Sequence, residues 1–73
     1  MTVEQIEAKI DAGQTMHIRT CLKAIEITKK TLDQFRNANR PLFKDCKDGR
    51  GFYISRGRGY DYVLESSVAV HFA

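Results

Sequence analysis

Between Lys44 and Tyr60 the chain reads KDCKDGRGFYISRGRGY, in which Lys and Arg alternate with Phe and Tyr over glycine turns. Cations of this kind hold phosphates and aromatic rings stack bases, so the composition suits a nucleic-acid-binding surface. Arg56 and Arg58 fall at the tip of an expected hairpin, where they could enter a groove or the acidic cleft of a protein partner. The competing reading is that Arg50, Arg56 and Arg58 only keep an edge and a turn in water, with Phe52 and Tyr62 as ordinary core. The candidate binding set is Lys23, Lys30, Arg36, Arg40, Lys44, Lys47, Arg50, Tyr53, Arg56 and Arg58.

Other chemistries can be written down from the same residue types. His17, Cys21, Cys46 and His71 would make a four-ligand zinc set, but structural zinc sites carry close pairs such as CxxC, which Cys46 and His71 lack. No metal or other cofactor is therefore expected. Cys46 as a nucleophile with either histidine as base is the enzymatic alternative. Lys44 and Lys47 would favour its thiolate and Asp45 and Asp48 would oppose it. Asp45 with Asp48 could be read as a metal-dependent nuclease pair, although turn formation before Gly49 is the simpler role. Gly49-Arg50-Gly51 leads into a strand pattern, whereas a dinucleotide fingerprint needs GxGxxG between a strand and a helix.

The charge balance concentrates the case in the middle of the chain. Residues 19 to 58 hold eleven Lys or Arg against four acids, a local +7 within a net charge of +3, and both ends are acidic. Such polarity steers an anionic partner. At 73 residues there is room for one domain, residues 1–73, whose core is marginal in size. An apolar fraction of 42% is that of a folded globule. No stretch approaches the roughly 20 apolar residues of a membrane span. The acids of MTVEQIEAKIDAG do not suit a secretory signal. A cytoplasmic location with Cys21 and Cys46 reduced is the expectation.

The elements that would position these residues follow from periodicity. Thr2 and Gln5 form a capping box, Val3, Ile6 and Ile10 an apolar stripe, and Gly13 a left-handed stop, which predicts a helix over residues 3–12. With Thr15 as cap, Ile18, Cys21, Leu22, Ile25, Thr28, Leu32 and Phe35 recur at three- and four-residue steps, which predicts one long amphipathic helix ending at Asn37, Asn39 and Pro41. Lys23, Lys30 and Arg36 fall mostly on its other face and could run along phosphates. A helix-turn-helix would instead need two short helices a few residues apart. The long stripe could also pair two chains as a homodimer.

Strands are predicted beyond it. Leu42 and Phe43 begin a short one, Asp48-Gly49 turns, and Phe52–Arg56 and Tyr60–Glu65 alternate about Gly57-Arg58-Gly59. A three-residue loop there sets Phe52 against Leu64 and Ile54 against Tyr62. A two-residue loop sets Tyr53 against Tyr62 instead, and the first register is preferred because it groups the larger apolar set. Val68–Phe72 is the last strand, with Val68, Val70 and Phe72 on one side.

The expected fold is α+β: a short helix, a long helix, and an antiparallel sheet of three strands, or four with Leu42-Phe43, covered on one face by the helices. The expected function is a small non-enzymatic nucleic-acid-binding (DNA or RNA) or regulatory module that uses the basic, aromatic-bearing hairpin. The alternative is a protein–protein interaction or inhibitor protein docking on an acidic partner surface. A Cys/His-dependent enzyme is the remaining reading.

Overall fold

The computed structural model describes residues 1–67 and 69–73. In chain order the elements are helix α1 (Val3–Asp11), strands β1 (Met16–Arg19) and β2 (Ala24–Ile27), helix α2 (Lys29–Asn37), and strands β3 (Phe43–Asp45), β4 (Gly51–Arg56) and β5 (Gly59–Leu64). A single 3-10 turn (Glu65–Ser67) then leads to strand β6 (Ala69–Phe72). The fold is α+β, two helices packed against antiparallel sheets.

Local chemistry sets the helix ends. Thr2 Oγ1 accepts the Gln5 N–H at 3.2 Å and Gln5 Oε1 accepts the Thr2 N–H at 3.0 Å, the reciprocal box read from the sequence. At the far end Gly13, with φ of 98°, donates to Ile10 O while Gln14 donates to Lys9 O. These two bonds make a Schellman stop. α2 ends the same way, with Asn39 at φ 54° donating to Arg36 O and Arg40 to Phe35 O.

The long helix is not there. Residues 16–27, assigned to its first half, form the β1–β2 hairpin, and only Lys29–Asn37 is helical. Ile18, Ile25 and Ile27 are branched at Cβ and favour strands, and Met16 and Ile18 point inward while His17 and Arg19 point out. Thr15, expected as a helix cap, exchanges backbone hydrogen bonds with Ala73. The turn is closed by Thr20, whose hydroxyl accepts the N–H groups of Leu22 and Lys23. Cys21 is consequently exposed in that turn and is not part of an apolar stripe, and Leu22 is 90% exposed.

Six strands therefore form two three-stranded antiparallel sheets, in the orders β2-β1-β6 and β3-β4-β5, where a single sheet was expected. Ile6, Ile10 and Leu32 from the helices meet Met16, Ile18 and Ile27 of the first sheet and Phe43, Phe52, Ile54 and Val63 of the second in one core. Val70 and Phe72 pack at its border, and Val68 lies outside the described residues. The two helices are held together at the surface by Arg36, which donates to Asp11 at 2.7 and 3.0 Å and to Glu7 at 3.1 Å.

The β4–β5 register also differs from the preferred one. Arg56 pairs with Gly59 and Tyr53 with Tyr62, so the loop is the two residues Gly57-Arg58. Gly57 has φ of 57° and Arg58 does not enter the left-handed region. This is the pattern of a type II′ turn, whose twist matches that of the strands it joins. Phe52, Ile54 and Val63 now face the core, while Tyr53, Tyr60 and Tyr62 share the opposite face.

Candidate nucleic-acid interface

The outer face of the β3-β4-β5 sheet is built by strand alternation. Lys44, Tyr53 and Tyr62 lie abreast on the three strands, and Ser55 and Tyr60 lie abreast one step further along. Ser55 is small, and the Tyr60 side chain reaches past it to donate its hydroxyl to Pro41 O at 3.0 Å. The Lys44 ammonium sits 4.2 Å from the Tyr60 ring centroid, a cation–π contact across β4. Tyr60 and Tyr62 remain 36% and 40% exposed.

Each tyrosine of this face has its hydroxyl engaged. Tyr62 donates to Asp48 Oδ2 at 3.0 Å, and Tyr53 accepts from the Cys46 thiol at 4.0 Å. The Tyr53 and Tyr62 rings lie 5.5 Å apart at 58°. Partial desolvation and the bond to Asp48 push the Tyr62 phenol up to about 12. Contact with Cys46 pushes Tyr53 up as well. Asp48 is drawn below the usual carboxylate range, first by the Arg50 N–H that it accepts at 2.9 Å, then by the Cys46 thiol and Tyr62. Tyr53 and Tyr62 thus stand as neutral phenols beside the ionised Asp48 carboxylate at neutral pH.

Cations bracket these rings. Lys47 and Arg50 stand in the β3–β4 turn beside the Tyr53 end of β4, and Arg58 stands at the β4–β5 tip beside Tyr60. A six-residue strand separates the two ends by about 20 Å. Lys44 lies between them. Among the described residues none of Lys44, Lys47, Arg50 and Arg58 has a carboxylate within ion-pair distance.

The other candidates are not gathered here. Arg36 is spent on Asp11, Glu7 and Asp33. Arg56 projects from the core-facing side of β4 and pairs with Asp61 at 2.9 Å. Arg40 lies over the Phe35 ring, 5.4 Å from its centroid, and Lys30 is on α2. Lys23 closes the β1–β2 turn in the other sheet. The basic middle of the sequence is therefore divided over several surfaces. Tyr60 and Tyr62 belong to the face although neither was in the candidate set, and Tyr62 had been placed in the core. Their signal was the two-residue loop, which turns both outward together with Tyr53.

The alternative chemistries separate in space. Asp45 Oδ1 accepts the Val3 N–H at 2.9 Å and so caps α1, whereas Asp48 serves the turn and Tyr62. His17 and His71 stack at 4.7 Å on the outer face of the first sheet, beside a cavity of about 440 Å³ also lined by Arg19 and Glu26. Cys46 follows β3 in the β3–β4 connection and Cys21 lies in the β1–β2 turn, both as free thiols. Among the described residues no group of three or more His, Cys, Asp or Glu side chains is placed to hold a metal ion. No helix among them is long and apolar enough to cross a membrane. The long helix that would have paired two chains is absent, so a homodimer cannot rest on it.

Comparison with known proteins adds no family: the chain matches no family model, no curated protein and no solved structure.

Proposed function

We propose that this protein is a small non-enzymatic nucleic-acid-binding module of the cytoplasm, acting through the outer face of the β3-β4-β5 sheet. One observation carries the reading: Tyr53, Tyr60 and Tyr62 share one accessible sheet face with their hydroxyls engaged, and Lys47, Arg50 and Arg58, without a carboxylate partner among the described residues, stand at its two ends. Aromatic side chains fixed on a sheet accept base rings without losing further rotamer freedom, and cations beside them hold the phosphates on either side. The interface needs no cofactor. Its cationic members differ from those that charge alone suggests, because Arg36 and Arg56 already have carboxylate partners.

Binding of the purified chain to labelled random-sequence DNA and RNA at about 50 mM salt tests the proposal. Measurable binding that perturbs the NMR signals of Tyr53, Tyr62, Arg50 and Arg58 is expected. Absence of binding at that salt would abandon the nucleic acid in favour of an acidic protein surface, which the same cations could meet.

A further inference from the structure

We infer that the ligand of this face is single-stranded nucleic acid, bound with unstacked bases on Tyr53 and Tyr62, and that duplexes are discriminated against. The inference rests on the nucleic-acid reading and narrows it.

Ring geometry is the first ground. In a duplex the faces of the bases are covered by their neighbours and only their edges are open in the grooves. Reading edges takes hydrogen-bonding groups that project, yet the Tyr62 and Tyr60 hydroxyls already donate to Asp48 and to Pro41 O, and that of Tyr53 is met by the Cys46 thiol. What the face offers is ring surface. Tyr53 and Tyr62 are tilted by 58° with centroids 5.5 Å apart, so bases lying flat on the two rings cannot remain parallel to each other. A splayed single strand meets that requirement and a regular helix does not.

The distribution of charge is the second ground. Duplex readers lay a helix or ribbon in the major groove, which is about 12 Å wide, and track phosphates on both sides. The helix surface of this protein is unsuited to that, because Arg36 and Lys29 are matched by Glu7, Asp11 and Asp33. On the sheet face Asp48 sits between Tyr62 and Arg50. A flexible strand can lead its phosphates past this carboxylate to Lys47, Arg50 and Arg58. The fixed phosphate spacing of a duplex gives no such freedom.

Lys44 completes the arrangement. Its ammonium covers the Tyr60 ring at 4.2 Å, leaving Tyr53 and Tyr62 as the rings first available to bases. From β3 it can give up the ring for a phosphate of the incoming strand, which would open Tyr60 as a third stacking position.

The test is fluorescence anisotropy of the full chain at about 50 mM salt. The probes are a labelled mixed-sequence 12-mer, as DNA and as RNA, and the duplex of the same sequence. The single strand is expected to bind at least about tenfold more tightly than the duplex. Tyr62→Leu, which keeps apolar bulk and removes the ring, should weaken single-strand binding by about five- to hundredfold. Arg56→Ala, on the core-facing side of β4 and paired with Asp61, should leave it near the wild-type value. Circular dichroism and thermal unfolding establish that both variants are folded. Equal or tighter duplex binding would overturn the inference while leaving nucleic-acid binding in place. Unchanged single-strand affinity in a folded Tyr62→Leu protein would also overturn it. Failure of every probe to bind would remove the underlying reading with it.

Discussion

Replacing Lys47, Arg50 and Arg58 together by Ala should change the salt dependence of nucleic-acid binding far more than the stability of the fold. Among the described residues four cations on or beside the tyrosine face lack a carboxylate partner: Lys44, Lys47, Arg50 and Arg58. Each phosphate contact to a single strand contributes about 0.7 to the slope of log affinity against log salt, so four give a slope near 3. Between 50 and 200 mM salt the wild-type affinity should then fall by about 50-fold, whereas the triple variant, left with Lys44, should lose only about threefold. Arg56→Ala is the internal control, because Arg56 extends from the opposite side of β4 and already pairs with Asp61. Anisotropy titrations at four salt concentrations measure both slopes. A drop in slope for Arg56→Ala matching that of Arg58→Ala, or an unchanged slope in the triple variant, would refute the assignment of cations to this face.

Three further expectations concern the scaffold. A Cβ on Gly51 would meet the backbone carbonyl of Val63 on the paired strand, with Leu64 Cα at 3.1 Å, so Gly51→Ala should cost about 1–3 kcal/mol or more in a denaturant titration. A neutral result would show that β4 and β5 approach less closely than described. Arg36→Ala should lower stability by about 1 kcal/mol, the scale of a few exposed ion pairs, with nucleic-acid affinity unaltered. A large affinity loss without destabilisation would return Arg36 to the interface. Tyr62 should titrate near 12, late for a phenol, and Tyr62→Phe should delete that step from the ultraviolet titration. The folded state holds the Tyr62 proton more tightly than the unfolded state does. Its contribution to stability is therefore complete below pH 10, the ordinary tyrosine value, and declines as pH rises toward about 12. A normal titration in the folded protein would contradict the desolvated, Asp48-bound phenol.

Features governed by neighbours in the chain were legible from the residues. The Thr2–Gln5 box, the Gly13 stop, the Asp48-Gly49 turn and the existence of the β4–β5 hairpin all depend on contacts within a few positions. Residues 16–28 were misread because their spacing satisfies two periods at once. Ile18 and Ile25 are seven apart, two turns of a helix, yet they are also directly paired across the β1–β2 hairpin. Cys21 and Leu22, which filled the intervening helical steps, are turn residues. What favoured the strands was branching at Cβ together with the ability of Thr20 to close a turn, and neither registers in an apolar spacing rule. The candidate site suffered a related loss. Arg36 and Asp11 are 25 positions apart, so no local pattern could say that this cation was already matched.

Register and candidate site turn out to be a single decision. With a three-residue loop, Tyr62 would stand opposite Ile54 and Tyr60 opposite Arg56, both on the core side, and the sheet's outer face would lose two of its three rings. The two-residue loop reverses this, because a strand's side chains alternate and a slip of one carries every residue of β5 to the other face. The larger apolar set favoured the wrong register, since it counted Tyr62 and Leu64 as core and left Val63 outside. The turn decides otherwise: Gly57 takes a φ of 57° without strain, and closing at Arg56 and Gly59 brings Val63 opposite Phe52. Val63 fills the core at little volume, and Tyr62 is released to Asp48 and to solvent. A glycine at the tip of the hairpin thus sets which rings the protein can offer to a ligand some distance along the same strand.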